Sequence, residues 1–164
     1  MTSVDYQWTE TEYLELVNEG RFRNTQLISG RIYQNVTPSP EHVRAVLRVR
    51  DAMVNLVGPK RVITESPIRA DGFPEPDVTV LRRDYEDILA TGEHPAPADI
   101  RVVIELAGSS YTHDSKVKLP VYQANGIHCF IVSLLRPGVG SKVDPYADDE
   151  EIYVLLQDLF NTTE

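Results

Sequence analysis

Cysteine and long apolar segments are both scarce in this sequence. Its one cysteine, Cys129, lies within the apolar segment GIHCFIVSLL. A lone cysteine excludes an intramolecular disulfide framework, and in such a segment it packs most simply as a small hydrophobic residue. No segment approaches the roughly 18 consecutive apolar residues of a membrane-spanning helix, and the N-terminus is acidic and polar rather than basic and then apolar. We therefore expect a cytoplasmic protein without membrane association.

Basic residues are missing from the C-terminal part of the chain. From Asp144 onward the sequence has seven acidic residues and no Lys or Arg, so the preceding 143 residues hold 16 basic and 18 acidic side chains. A net charge of −9 argues against nucleic-acid binding, because phosphate contacts need Lys and Arg. The concentration of acid in one segment weakens that objection. Residues 42–70 carry six basic and two acidic side chains, which indicates a local basic surface or, more commonly, a solvated helix face.

The length and the pattern of elements predict one domain. At 164 residues with 41% hydrophobic content, the chain suits a single domain over residues 1–164, with an acidic segment from about residue 144. Thr9 with Glu12 predicts the capped start of a first helix, and Ser39 before Pro40 predicts the start of a longer second helix. Between them, TQLISGRIYQNV alternates about a Ser-Gly turn, which is typical of a hairpin.

The remaining chain predicts strands around two further helices. One helix is predicted in THDSKVKLPVYQANG, where Pro120 should kink or delay it, and a short one at DYEDILATG. IRVVIELAGSS has the near-continuous apolar character of a buried central strand. The other predicted strands are RVITESPIRA, DVTVLRR, IHCFIVSLL and EIYVLLQ.

Two acidic residues on predicted core strands need partners. Asp77 begins the apolar strand DVTVL, and Glu105 ends the apolar run RVVIE. A buried ionised carboxylate is costly unless it is paired, hydrogen-bonded or bound to a metal. On neighbouring strands the two carboxylates would lie a few ångströms apart, as a hard cation such as Mg²⁺ requires. Backbone N–H donors at strand ends would satisfy them equally well, so the spacing leaves both interpretations open.

A lysine on the predicted third helix lies within reach of these acids. Asp114, Lys118 and Tyr122 are four residues apart, so on a helix they share one face, whereas Lys116 points elsewhere. The Lys118 ammonium could then extend toward the two carboxylates. Taken alone, the same spacing is better explained by an Asp-to-Lys helix pair in solvent.

Together these features resemble the Uma-type restriction endonucleases of the PD-(D/E)xK nuclease superfamily. Three segments carry the resemblance: PEPD with Asp77, VVIELAGSS with Glu105, and DSKVKLPVYQANGI with Lys118 and Tyr122. The LISGRIY hairpin and the PSPEH lead into the second helix, which contains His42, also match. The resemblance extends roughly from Trp8 to Leu135, and its specificity comes from the order and spacing of the motifs rather than from any one of them.

The resemblance implies a fold and a reaction. The expected fold is an α/β (α+β), restriction-endonuclease-like fold in which helices flank a mixed central β-sheet. By family analogy Asp77 and Glu105 would bind Mg²⁺, for which Mn²⁺ would substitute, in a site that hydrolyses phosphodiester bonds of DNA. The superfamily's usual lysine lies two residues after the glutamate, where this chain has Ala107, so Lys118 becomes the candidate catalytic lysine.

Further roles and a possible assembly also come from the resemblance. His42, Asp114 and Tyr122 are expected to support the site. A homodimer would suit the cutting of both DNA strands, although the sequence has no interface signature of its own.

Departures from the family pattern keep two other functions open. Gln26, Ser29 and Arg31 stand where relatives carry acidic residues in the hairpin, and Cys129 stands where relatives carry a glutamate. Asp77, Glu105 and Lys118 are all present and favour an intact site. The alternatives are a catalytically weakened member that binds nucleic acid, or an interaction subunit whose acidic residues are simply hydrogen-bonded. Fold analogy alone does not separate these functions from an active nuclease.

Overall fold

The structure is a computed structural model that describes residues 6–108, 111–134 and 141–160. Its helices are α1 (Glu10–Asn18), α2 (Pro40–Val57), α3 (Tyr85–Leu89), α4 (Tyr111–His113), α5 (Leu119–Ala124) and α6 (Glu150–Phe160), with a π-helical turn over Asp114–Lys118 and 3₁₀ turns over Pro59–Arg61 and Pro97–Asp99. Its strands are β1 (Thr25–Ile28), β2 (Arg31–Gln34), β3 (Val62–Thr64), β4 (Gly72–Phe73), β5 (Val78–Leu81), β6 (Ile100–Ala107), β7 (Cys129–Ser133) and β8 (Lys142–Tyr146).

The predicted first helix and hairpin are both present. The Thr9 side chain accepts a hydrogen bond from the Glu12 N–H, and the Glu12 side chain accepts one from the Thr9 N–H, which completes a capping box. The hairpin turns at Ser29 and Gly30, whose φ angles of 51° and 80° suit a tight two-residue connection. Strand β4 pairs with β1 on the side away from β2, which completes a three-stranded antiparallel sheet.

The main sheet has five strands in the order β3-β5-β6-β7-β8. Strands β6 and β7 are parallel, whereas the other neighbours are antiparallel. Apolar residues of β6 alternate between two cores: Val102, Ile104 and Leu106 face α2 and α6, whereas Val103 and Ala107 face α5. Helices therefore cover both faces of a mixed sheet, which confirms the predicted α/β architecture.

Helix α2 begins and packs as the sequence predicts. The Ser39 side chain accepts a hydrogen bond from the His42 N–H at 3.2 Å, and Pro40 occupies the first turn, where its missing N–H costs nothing. Its buried face consists of Ala45, Val46, Val49 and Met53. This packing fixes the N-terminal end of α2, which carries His42, against the main sheet.

The predicted strand EIYVLLQ is wrong, because this segment forms helix α6. Asp149 accepts a hydrogen bond from the Ile152 N–H at 3.2 Å, so it acts as a helix cap. Ile152, Leu156 and Phe160 are buried at a spacing of four residues, whereas Val154 is exposed. The β-branched and aromatic residues favoured a strand, but the cap and the burial of one helical face outweigh that preference.

Residues 144–160, the described part of the acidic segment, are folded onto the main sheet rather than extended as a tail. Strand β8 pairs with β7, and α6 packs against α2. Arg101 binds Asp149 through two hydrogen bonds of 2.8 and 3.1 Å and binds Glu151 through a third of 2.7 Å. Two of the seven acids therefore fasten α6 to β6 through a shared guanidinium.

We expect Arg101→Met to flatten the acid dependence of stability. The Arg101 hydrogen bond holds the pKa of Asp149 below its usual range. A carboxyl group with a lower pKa in the folded chain stabilises the fold above its unfolded pKa, about 3.9, and that contribution is lost as the pH falls through the folded pKa. Urea unfolding between pH 5 and pH 2 should show a smaller loss in Arg101→Met than in the wild type.

A matched variant controls for the loss of a cation. Arg50→Met removes an arginine whose pair with Asp51 is exposed on both sides, so the acid dependence should stay as in the wild type. Equal profiles for all three proteins would show that the Arg101 pair contributes nothing to folding.

Two further strand predictions differ from the structure. Of RVITESPIRA, only Val62–Thr64 is a strand, because Glu65 adopts a φ of 50° and turns the chain away from the sheet. Strand β8 is missing from the sequence-based prediction, since its segment KVDPY contains a proline and few apolar residues. It lies at the edge of the sheet, where a missing N–H is tolerated.

The described helices include none with the length and apolar character needed to cross a membrane.

Candidate active site

The register of β5 and β6 places Asp77 beside Glu105. Val78 pairs with Ile104, so the next step of the antiparallel ladder brings the two acidic residues together. The Asp77 N–H donates to Glu105 Oε1 at 3.0 Å, and the Leu106 N–H donates to Asp77 Oδ2 at 2.7 Å. One oxygen of each carboxylate thus accepts a backbone hydrogen bond, as one of the two sequence-based interpretations predicted. The other oxygen of each contacts a side chain.

Lys118 lies in the same buried site as Glu105. Its Nζ is 3.1 Å from Glu105 Oε2 and 3.8 Å from Asp114 Oδ1, and it donates to the Glu75 carbonyl oxygen at 3.0 Å. Glu105 is fully buried, and the Lys118 side chain is 6% exposed. The interpretation of Asp114 and Lys118 as a solvated surface pair is therefore wrong, because the pair is buried against the strand-borne Glu105.

The π-helical turn sets the direction of Lys118. The Leu119 N–H donates to the Asp114 carbonyl oxygen five residues earlier, which widens this turn just before Pro120. The sequence predicted that Pro120 would kink or delay this helix, and in the structure the π-helical turn precedes α5, which begins at Leu119. Lys118 is buried and Lys116 is exposed, as their predicted helix faces require.

Tyr122 reaches the site from α5. Its hydroxyl donates to Glu105 Oε2 at 2.7 Å and is completely buried. Glu105 Oε2 therefore has two donors, Tyr122 and Lys118, and Oε1 has the Asp77 N–H. These three contacts hold the Glu105 carboxylate in one orientation.

Burial disfavours the charged forms of Glu105 and Lys118, and the neighbouring charges modify the pKa of each group. Burial raises the pKa of Glu105, and the negative charges of Asp114 and Asp77 raise it further, whereas the adjacent Lys118 ammonium lowers it and favours the carboxylate. Burial alone would lower the pKa of Lys118, but the attraction of Glu105 and Asp114 outweighs it and raises the pKa. Burial also raises the pKa of Tyr122 well above its usual value, so Tyr122 remains a neutral donor. The charge of Lys118 is thus stabilised mainly by its acidic neighbours.

His42 and Glu65 approach Asp77 from its more exposed side. His42 Nε2 is 3.3 Å from Asp77 Oδ1, and the two side chains are 21% and 16% exposed. The hydrogen bond to Asp77 raises the pKa of His42 despite partial burial. The Glu65 N–H donates to the Asp77 carbonyl oxygen at 3.1 Å. One ligand atom each from His42, Glu65 and Asp77 lies within 4.8 Å of the others, so this group has the dimensions of a metal site.

All six residues selected from the sequence lie in this one region: Asp77, Glu105, Lys118, His42, Asp114 and Tyr122. Sequence reasoning missed Glu65, which is exposed and lies just after β3, and Glu75, whose backbone oxygen binds Lys118. Neither carries a periodic signal. The position of Glu75 two residues before Asp77 was the one hint, because it forms part of the PEPD segment.

The residues that depart from the family pattern have local partners. Gln26 Oε1 accepts the Glu75 N–H at 2.7 Å, and Gln26 Nε2 donates to Asn35 Oδ1 at 2.7 Å. Ser29 donates to Asp71 Oδ2 at 2.8 Å. Cys129 is buried beside Ile131 in the core, as predicted for a small hydrophobic residue. Gln26 therefore positions the chain that supplies the Glu75 carbonyl to Lys118.

The site contains candidate cation ligands, a buried positive charge and residues that orient that charge. Asp77, His42 and Glu65 offer oxygen and nitrogen ligands to a cation. Lys118 offers a buried positive charge next to Glu105, which can stabilise negative charge that develops on a bound molecule. Glu105 and Tyr122 orient that lysine and the Asp77 backbone.

Comparisons with known proteins identify the family and the fold of the chain. The model of the Uma2 family, described as "Putative restriction endonuclease", matches residues 10–156. A crystal structure from Anabaena variabilis ATCC 29413, described as a putative nuclease belonging to DUF820, superposes with a TM-score of 0.53 at 18% sequence identity. That similarity covers 82% of this chain and 90% of the other, so the two share a fold. The search of curated proteins found no match.

Proposed function

Because the chain belongs to the Uma2 family, which is described as "Putative restriction endonuclease", we propose that it is a divalent-metal-dependent endonuclease that hydrolyses phosphodiester bonds in DNA. The observation that carries this proposal is the contact between Lys118 and Glu105 at 3.1 Å, together with the hydrogen bond from the Asp77 N–H to Glu105. An acid pair on neighbouring strands with a lysine directed onto it is the arrangement that the family resemblance implies. Here the lysine comes from a helix instead of from β6.

The residues present fit a divalent cation. Carboxylate oxygens are the preferred ligands of Mg²⁺ and Mn²⁺, and Asp77 keeps Oδ1 on the side where His42 and Glu65 lie. A bound divalent ion would supply Lewis-acid polarisation of the scissile phosphate and of an attacking water. Lys118 would then stabilise the charge that develops on the phosphate, while Tyr122 and Glu105 hold the lysine in place.

A second candidate function is nucleic-acid binding without efficient cleavage. Its support is the saturation of Glu105, which accepts hydrogen bonds from Asp77, Tyr122 and Lys118 and is fully buried. If the Glu105 carboxylate only accepts these hydrogen bonds, it would stabilise the fold without taking part in cleavage. Cleavage and binding measured on the same DNA separate the two functions.

We expect the purified protein to nick supercoiled plasmid DNA in the presence of Mg²⁺ or Mn²⁺ and to be inactive with EDTA. Asp77→Asn should lower the cleavage rate by more than about 100-fold, because it removes an anionic ligand and with it several kcal/mol of transition-state stabilisation. The matched control is Asp87→Asn, an exposed acid of α3, which should cleave as the wild type does. Thermal unfolding of both variants verifies that they are folded.

Two results would contradict this proposal. Equal cleavage by the wild type and Asp77→Asn would place the activity elsewhere or in a contaminant. DNA binding by gel shift in Ca²⁺ without cleavage in Mg²⁺ or Mn²⁺ would favour the nucleic-acid-binding function instead.

A further inference from the structure

The two sides of the Asp77 carboxylate lie in different environments. Oδ2 accepts the Leu106 N–H at 2.7 Å and is thereby tied to β6. Oδ1 faces His42 Nε2 at 3.3 Å. Because both side chains are partly exposed, at 16% and 21%, a hydrated ion can reach Oδ1 from solvent. The accessible ligand atom of Asp77 is therefore Oδ1, which lies next to His42.

Glu105 is poorly placed to share an ion with Asp77. Its side chain has no exposed surface, and its two oxygens accept hydrogen bonds from Asp77 N–H, Tyr122 hydroxyl and Lys118 ammonium groups. The Lys118 cation lies 3.1 Å from Oε2, where a second positive charge would be repelled. Ion binding by Glu105 would require these contacts to break.

Glu65 is placed to complete the ligand set. Its backbone N–H is bound to the Asp77 carbonyl oxygen at 3.1 Å, which holds the residue next to the site, while its side chain is exposed and able to adjust. One ligand atom each from Glu65, His42 and Asp77 lies within 4.8 Å of the others. Ligands of a six-coordinate ion at about 2.1 Å lie about 3 to 4 Å apart. The 3.3 Å separation between His42 Nε2 and Asp77 Oδ1 lies in this range, so an ion that displaces the proton between these two atoms requires little movement of either side chain. Glu65 then moves to complete the ligand set.

We infer that His42, Glu65 and Asp77 are the protein ligands of the divalent cation, and that Glu105 acts as a positioning residue for Lys118. The inference rests on the proposed function and specifies its metal site. An imidazole nitrogen among the ligands raises affinity for first-row transition ions above that for Mg²⁺ or Ca²⁺, which prefer oxygen alone. The site therefore prefers Mn²⁺ to Mg²⁺.

The test measures Mn²⁺ binding to the intact protein by isothermal titration, without any DNA. His42→Asn and Glu65→Gln should each weaken Mn²⁺ binding by about tenfold or more, since each removes one ligand. Glu105→Gln should change it less than about threefold. Glu41→Gln is the matched control, because it removes a neighbouring acid of α2 outside the ligand set and should bind as the wild type does.

A spectroscopic readout identifies the nitrogen ligand directly. Electron spin echo measurements on Mn²⁺-loaded protein should show modulation from a coordinated ¹⁴N nucleus, and this signal should vanish in His42→Asn. His42→Asp exchanges the nitrogen for an oxygen and should bring Mg²⁺ and Mn²⁺ affinities closer together. Thermal unfolding of each variant without metal confirms that the fold is retained.

The outcomes separate this inference from the proposed function. Loss of Mn²⁺ binding in Glu105→Gln, with His42→Asn and Glu65→Gln unaffected, would overturn the inference and leave an endonuclease that uses the Asp77 and Glu105 pair. Mn²⁺ binding that depends on His42 and Glu65, in a protein that cleaves no DNA, would support the metal site and refute the proposed reaction.

Discussion

Replacing Lys118 by methionine is expected to remove both DNA cleavage and much of the protein's stability. Methionine keeps an unbranched side chain, one heavy atom shorter than that of lysine, but carries no charge. Its loss would leave Glu105 and Asp114 buried without their shared cation, and removal of one partner from a buried ion pair costs about 3 to 5 kcal/mol. Cleavage should fall by about 10²- to 10³-fold, the usual effect of losing one group that stabilises transition-state charge.

A nearby lysine and a compensating variant make this prediction specific. Lys116→Met changes an exposed residue of the same π-helical turn and should alter stability by less than about 0.5 kcal/mol, with cleavage unchanged. Lys118→Met combined with Glu105→Gln removes both charges of the contact. The amide still accepts the Asp77 N–H, so urea unfolding should show that part of the lost stability returns.

The double variant distinguishes a catalytic role from a structural one. If Lys118 acts on the phosphate, cleavage stays absent in the double variant although folding recovers. Restoration of cleavage together with stability would show that Lys118 only neutralises Glu105. Cleavage at the wild-type rate in Lys118→Met itself would exclude it from the reaction.

The sequence predicted the centre of the site because strand ends and helix faces are local properties. Asp77 and Glu105 stand out as acids at the ends of apolar runs, and the spacing from Asp114 to Tyr122 places Lys118 on one helix face. Their actual contact depends on the pairing of Val78 with Ile104. That pairing joins segments far apart in sequence, so the family resemblance, and not the local pattern, indicated it.

Glu65 and Glu75 were not predictable in the same way. Glu65 lies in an irregular connection after β3, and its approach to Asp77 follows from a positive φ that non-glycine residues seldom adopt. Glu75 contributes its backbone oxygen to Lys118, and the Gln26 side chain holds the Glu75 N–H from a different sheet. Residues that act through the backbone or through loop geometry leave no pattern of residue types in a single sequence.

The error at α6 has a local cause. EIYVLLQ contains alternating apolar residues that suit a strand, yet the same residues also suit a helix with one apolar face. Asp149 before two glutamates is a helix-start signal that favours the second interpretation, and the structure uses it. In this segment the capping signal was more informative than the composition of the seven residues that follow it.

The two interpretations of this segment predict different effects of three single substitutions. In a strand, Ile152, Val154 and Leu156 would share one buried face and would be equally sensitive to truncation. In α6, Ile152 and Leu156 are fully buried, whereas Val154 is 45% exposed. We therefore expect Ile152→Ala and Leu156→Ala each to lower the free energy of unfolding by about 2 to 5 kcal/mol, because each leaves a cavity between α2, α6 and the sheet.

Val154→Ala should change the free energy of unfolding by less than about 0.5 kcal/mol, and the better helix propensity of alanine offsets part of any loss of contact. Urea unfolding followed by circular dichroism measures all three variants under one condition. Similar losses of unfolding free energy for all three variants would indicate that the segment is a strand. A large loss for Val154→Ala alone would indicate that the Val154 side chain is buried in a contact that α6 does not make in this structure. Since α6 packs against α2, whose first turn carries His42, destabilising α6 should also weaken Mn²⁺ binding at temperatures near the unfolding midpoint.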